Sequence, residues 1–113
     1  MKRFSSHYLF IPGSGFYKHS AFEWADGIIT GIFPLLSEME NISWLPGVIA
    51  LMPAGFPEVT LEYMTVLMEK YPDIHTCIPD GILDREMIPY TISSFDFDTM
   101  LPRAGARLRK ITG

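Results

Sequence analysis

The stretch Trp44-Leu45-Pro46-Gly47-Val48-Ile49-Ala50-Leu51-Met52 constrains this chain more than any other. It is the longest uncharged apolar run, and it closes a first half rich in β-formers. Residues 42–52 read as a strand interrupted by Pro46-Gly47. Proline donates no ladder hydrogen bond and is awkward in a central strand, so a bend is predicted at that step. The breaker-rich residues 53–57 then mark a change of structure.

The segments before this run also read as strands. Residues 3–11 alternate loosely and are rich in aromatics, which predicts a first strand. Pro12-Gly13-Ser14-Gly15 ends it as a turn. The turn lacks the Lys-Ser/Thr ending of a phosphate-binding loop, so Gly15 is read as plain turn chemistry. Residues 17–24 form a second predicted strand and residues 28–35 a third. Asp26-Gly27 between them is the clearest hairpin signal in the chain. Gly31 inside the third strand predicts a bulge or a close backbone approach, and residues 37–41 read as a loop or one helical turn.

The one predicted helix spans residues 57–71, from Pro57 at its first position, with Glu58 near the positive end of the dipole. Glu58, Glu62, Thr65 and Glu69 fall on one stripe, and apolar side chains fill most of the remaining circumference. So narrow a polar stripe predicts burial on more than one side. Tyr71-Pro72-Asp73 stops the helix. Short strands are expected at 74–78, 90–97 and 106–111, with a turn at Pro79-Asp80-Gly81. The whole chain, 1–113, then reads as a single α+β domain that is mainly β. It is a small antiparallel or mixed sheet structure, sandwich-like, with one packed helix and no TIM barrel. Its parts are a β-rich first half (3–52), the helix, and closing strands (74–112).

Charge and cysteine usage narrow the function classes. A net charge of −4 gives no electrostatic footprint for nucleic acid. The single cysteine, Cys77, excludes an internal disulfide and fits a reducing compartment. Lys2 and Arg3 resemble the start of a signal peptide, but the apolar run at 8–11 is too short for one. No window approaches the roughly 20 apolar residues of a membrane span. The expectation is a cytoplasmic protein without a membrane role.

Candidate chemistry is sparse. His7, His19 and His75 show no metal spacing. His75 and Cys77 share a strand face at i, i+2, but zinc needs three or four protein ligands. Cys77 as a nucleophile needs a base and an orienting group, and a buried structural cysteine is the plainer reading. Asp80, Asp84, Asp96 and Asp98 suit turn and strand-end roles, with Asp96 and Asp98 flanking Phe97 on the polar face of a strand. Arg103, Arg107, Arg109 and Lys110 suit an edge strand defended against sheet-to-sheet pairing. No catalytic residue, metal ligand or cofactor is assigned. A newly built small-ligand or catalytic site around His75, Cys77 and Asp80 is the alternative.

Ala25-Asp26-Gly27-Ile28-Ile29-Thr30-Gly31-Ile32, followed by Leu45-Pro46-Gly47-Val48-Ile49, resembles the opening of amidohydrolase-superfamily enzymes. Ile92-Ser93-Ser94-Phe95-Asp96-Phe97-Asp98, Leu101-Pro102 and Arg107-Leu108-Arg109-Lys110-Ile111 resemble their closing strands. In that family these segments build a small composite β domain beside a metal-bearing barrel. The resemblance implies that the C-terminal segment returns to the N-terminal sheet. It implies no catalysis here. The family's two histidines after Leu-Pro-Gly fall on Met52 and Ala54, and a barrel of about 250 residues has no room. A non-catalytic module for binding, regulation or assembly is the expectation. Its expected partners are a second copy of itself, paired through the helix or an exposed face next to it, or a full-length amidohydrolase or other protein.

Overall fold

The computed structural model describes residues 2–35, 41–56, 58–76 and 86–111. Seven strands come before the helix: β1 (Lys2–Ser5), β2 (Tyr8–Ile11), β3 (Gly15–Tyr17), β4 (Ser20–Ala25), β5 (Ile28–Pro34), β6 (Ile42–Trp44) and β7 (Val48–Pro53). After it come β8 (Ile74–His75), β9 (Met87–Ile92), β10 (Phe95–Asp96), β11 (Leu101–Pro102) and β12 (Leu108–Lys110). One sheet runs β5-β4-β1-β6 and a second runs β12-β9-β7-β2-β3-β8. The pair β10-β11 stands apart, and no sheet closes into a barrel.

Three of the predicted strands are each divided in two. Residues 3–11 become β1 and β2, residues 17–24 become β3 and β4, and residues 42–52 become β6 and β7. In each case one half lies in the first sheet and the other half in the second. Neighbours are kept across the break. β1 lies between β4 and β6, and its continuation β2 lies between β3 and β7. The three segments are thus bent strands shared by both sheets, the way sandwich corners are made. The predicted bend at Pro46-Gly47 is one of the three. The other two, at Ser6-His7 and Lys18-His19, lack a proline or glycine and read as continuous strand.

β7 is the central strand of the six-stranded sheet, parallel to β2 and antiparallel to β9. Val48 to Met52 are completely buried. Alternate side chains point to opposite faces, so the strand feeds two cores. Ile49 and Leu51 pack with Phe22, Trp24, Ile29 and Ile32 of the first sheet. Val48, Ala50 and Met52 pack with Phe10, Phe16, Phe95 and two helix methionines. Burial on both faces is why this stretch reads as continuous apolar sequence rather than as an alternation. β9 and β12 extend the same sheet, so the C-terminal strands return to the N-terminal ones, as expected.

The helix α1 (Leu61–Lys70) starts later than predicted. Thr60 is the N-cap, in an extended conformation, and its Oγ1 accepts from Tyr63 N at 3.1 Å. A threonine oxygen satisfies a first-turn N–H that Glu58, lying outside the helix, does not reach. Pro57 lies outside the described residues. Burial is also narrower than the polar stripe suggested. Met64 and Met68 face the second core, while Val66 is 60% exposed and Tyr63 lies tilted against exposed Phe56 at 5.4 Å. One sheet face covers one side of a helix, and nothing among the described residues covers the other.

Asp26 and Gly27 both have positive φ, 52° and 86°, the signature of the tight I′ hairpin turn. The bulge falls at Thr30, between Glu23↔Gly31 and Trp24↔Ile29. Residues 90–97 are not one strand. They are the end of β9, a corner at Ser93-Ser94, β10, and the start of a turn at Phe97, so Asp96 and Asp98 do not share a strand face. β12 is an edge strand with Arg109 and Lys110 exposed, as predicted. Cys77, the turn Pro79-Asp80-Gly81, Asp84 and most of the predicted loop 37–41 lie outside the described residues.

Candidate functional site

The corner where the three strands bend is built from polar residues. Ser5, Ser6 and Ser20 are the fully buried polar side chains among the described residues, and all three sit there. Bending a strand frees backbone carbonyls that the ladder would otherwise engage. Ser5 Oγ donates to Ser20 O at 2.8 Å, Ser6 Oγ to Gly47 O at 2.7 Å, and Ser20 Oγ to Lys18 O at 2.8 Å. Leu45 N donates to Ser5 O at 2.9 Å, which ties the third bend to the first. The serines therefore hold the three bends to one another.

Outside these serines lies a cleft of about 300 Å³, lined by Ser6, His7, Tyr8, Lys18, His19, Leu35, Trp44 and Phe97. His7 is its centre. Its ring lies edge-on to Trp44 at 5.2 Å and tilted against Phe97 at 4.9 Å. Gly47 N donates to His7 Nδ1 at 3.2 Å, so the neutral ring carries its proton on Nε2. Trp44 is 53% exposed and Phe97 40% exposed, large apolar side chains held at the surface around a concavity. The Lys18 ammonium lies 6.0 Å from the centre of the Tyr8 ring. His19 has φ of 48°, and its carbonyl accepts from Leu35 N at 2.7 Å, which holds the segment after β5 to this corner.

Phe97 reaches the cleft through a turn that Asp96 organises. Asp96 Oδ1 accepts from Asp98 N at 2.9 Å and from Thr99 N at 3.3 Å. The two N–H groups, that of Asp98 first, hold the Asp96 carboxyl below the usual carboxylate range. That carboxylate is engaged in its own turn. Neither Asp96 nor Asp98 lines the cleft.

The residues singled out from sequence are dispersed. His75 lies away from the cleft, its Nε2 2.9 Å from Ser14 O and its ring stacked on Tyr17 at 4.5 Å. Tyr17 Oη is in turn hydrogen-bonded to Ser14 Oγ. His75 therefore closes the Pro12–Gly15 turn onto β8. The structure brings His7 and His19 together at the cleft and leaves His75 apart. Among the described residues, no three of His, Cys, Asp and Glu gather closely enough to hold a metal ion. Lys18, Trp44 and Phe97 were not legible as site residues. Two of the three bends carry no breaker residue and Phe97 lies outside all three strands, so no local signal linked these residues.

The chain matches no protein family, no curated protein and no solved structure. None of these comparisons links the chain to amidohydrolase small domains. No helix among the described residues is long and apolar enough to cross a membrane.

Proposed function

We propose that this protein is a non-catalytic binding module whose recognition site is the corner cleft. The observation that carries the reading is His7 in ring contact with both exposed Trp44 and exposed Phe97 in a concave site. Exposed aromatics around a concavity, with a few convergent polar groups, are the usual composition of a small-ligand site. The volume is at the lower end for such sites, which favours a ligand of one or two rings. The lineage reading, a stand-alone relative of the amidohydrolase small domain, belongs to the same proposal. It is supported by β9 and β12 returning beside β7. Met52 and Ala54 in place of histidines support the absence of hydrolase chemistry.

A thermal-denaturation screen of small metabolites tests the proposal, run on the wild-type chain and on Trp44→Ala/Phe97→Ala. A ligand at ten times its Kd stabilises the native state by about 1.4 kcal/mol, which raises Tm by roughly 5 °C in a domain of this size. The expected result is stabilisers that act on the wild-type chain and not on the double variant. Stabilisers that act equally on both place recognition elsewhere and defeat the reading.

Self-association is a second element of the proposal, supported by the exposed apolar group Phe56, Tyr63 and Val66. Met64 and Met68 are buried within the protomer and have no part in such an interface.

A further inference from the structure

We propose that the ligand of the corner cleft is a small planar aromatic anion, one or two fused rings carrying a carboxylate or phosphate. This rests on the reading of the cleft as the recognition site. Three independent features point to that chemistry.

The first is charge. The protein carries a net charge of −4, yet the residues lining the cleft include one cation, Lys18, and no Asp or Glu. Two acids flank Phe97 in its turn, Asp96, whose Oδ1 is held by two backbone N–H groups, and the exposed Asp98, and neither lines the cleft. A recess with one ammonium and no carboxylate, on an acidic protein, favours anions over cations. The second is shape. Trp44 and Phe97 both contact the His7 ring, at 5.2 and 4.9 Å, and remain 53% and 40% exposed. Rings of this kind bind flat partners by offset or edge-to-face stacking. The neutral His7 presents Nε2–H as a donor, with no partner for it among the described residues, so the imidazole favours an acceptor such as a carboxylate or phosphate oxygen.

The third feature is strain. His19 holds φ of 48°, a left-handed conformation in which a histidine side chain is disfavoured and glycine is not. It sits at the second bend, where glycine would suit the backbone better. The histidine is among the residues that line the cleft, next in sequence to Lys18. Strain of this sort is characteristic of binding sites, where the side chain serves the ligand rather than the fold.

Titration of the full chain followed by NMR tests this, with 2-naphthoate, its neutral isostere 2-naphthamide, and the non-planar anion cyclohexanecarboxylate as probes. The Trp44 indole N–H and the amides of residues 7, 18 and 19 report the cleft. Naphthoate is expected to move these signals with a Kd of about 0.1–1 mM, typical for a ligand of its size. Loss of a charge-assisted contact is expected to weaken naphthamide by about tenfold, and cyclohexanecarboxylate by a similar factor through lost stacking. Lys18→Gln should bring naphthoate to the affinity of the amide. Lys18 is exposed, so this variant keeps its fold. His19→Gly should weaken naphthoate severalfold while leaving Tm unchanged or raised. Equal binding of acid and amide at these signals overturns the anion and leaves the cleft as the recognition site. Equal binding of naphthoate and cyclohexanecarboxylate overturns the planar requirement. If none of the three moves these signals, the inference is overturned. The metabolite screen then decides separately whether the cleft binds anything. A His19→Gly chain with lowered Tm and undiminished binding removes the role given to that histidine.

Discussion

Gly47→Ala is expected to destabilise the protein by about 3 kcal/mol or more, through the left-handed backbone penalty together with forced displacement of a neighbouring strand. Gly47 has φ of 96°, and a Cβ there would lie 2.5 Å from the carbonyl oxygen of Ile92, in the main chain of β9. That oxygen belongs to backbone inside a ladder and does not swing aside. Gly47 also donates to His7 Nδ1 and accepts from Ser6 Oγ. The same change therefore disturbs the cleft. Gly27→Ala is the control. Gly27 has φ of 86° with nothing within 4 Å of a Cβ, so it should lose only the backbone term, about 1–2 kcal/mol. Urea unfolding of the two variants measures the difference. Equal losses would mean that β7 and β9 do not approach each other at this bend as described.

Met64→Glu is expected to lose about 4 kcal/mol or more, a large share of the roughly 5–15 kcal/mol that holds a typical domain. Met64 has no exposed surface and packs against Phe10, Phe16 and Met52. A carboxylate there finds no partner and must stay unpaired or take up a proton. Val66→Glu, two residues on, should change stability by less than about 0.5 kcal/mol, because Val66 is 60% exposed on a different side of the helix. Val66 is instead where self-association would respond. If the chain pairs through this face, light scattering should report a dimer for the wild type and a monomer for Val66→Glu. A wild-type mass that stays monomeric as concentration rises removes the dimer from the proposal.

The parts of this fold that sequence made legible are those governed by local chemistry. Asp26-Gly27 sets its own turn, and the loss of alternation across residues 48–52 signals burial on both faces. The bend at Pro46-Gly47 announces itself because proline and glycine are backbone residues first. The bends at Ser6-His7 and Lys18-His19 do not. Serine and histidine sit comfortably in strands, and the reason they stand here is tertiary. Ser5 and Ser6 reach across to Ser20 and Gly47, 15 and 41 residues away. The helix start differs for a local reason: Pro57 and Glu58 suit a first turn, but Thr60 three residues before Tyr63 supplies the cap.

The site was less legible than the fold. Its rings come from the bend between β1 and β2, from β6 and from the turn after β10, and no spacing in the chain links residues 7, 44 and 97. His75 attracted attention through its neighbour at 77, and it proves to be a fastener for a turn. A cleft formed at a sheet corner collects side chains from every strand that bends there. Its composition becomes visible only once the bends are aligned.

The most direct test of the corner cleft as the recognition site uses Trp44 as its own reporter. The chain has two tryptophans, and Trp24 is buried with its Nε1 lacking an acceptor among the described residues. Trp24→Phe therefore removes the competing fluorophore without breaking a hydrogen bond seen there. In that background, acrylamide quenching of Trp44 should be strong in the free protein. A ligand that raises Tm should lower the quenching several-fold as it covers the indole, saturating with the ligand concentration that stabilises the fold. A ligand that stabilises the protein while leaving Trp44 as accessible as before would contradict the account.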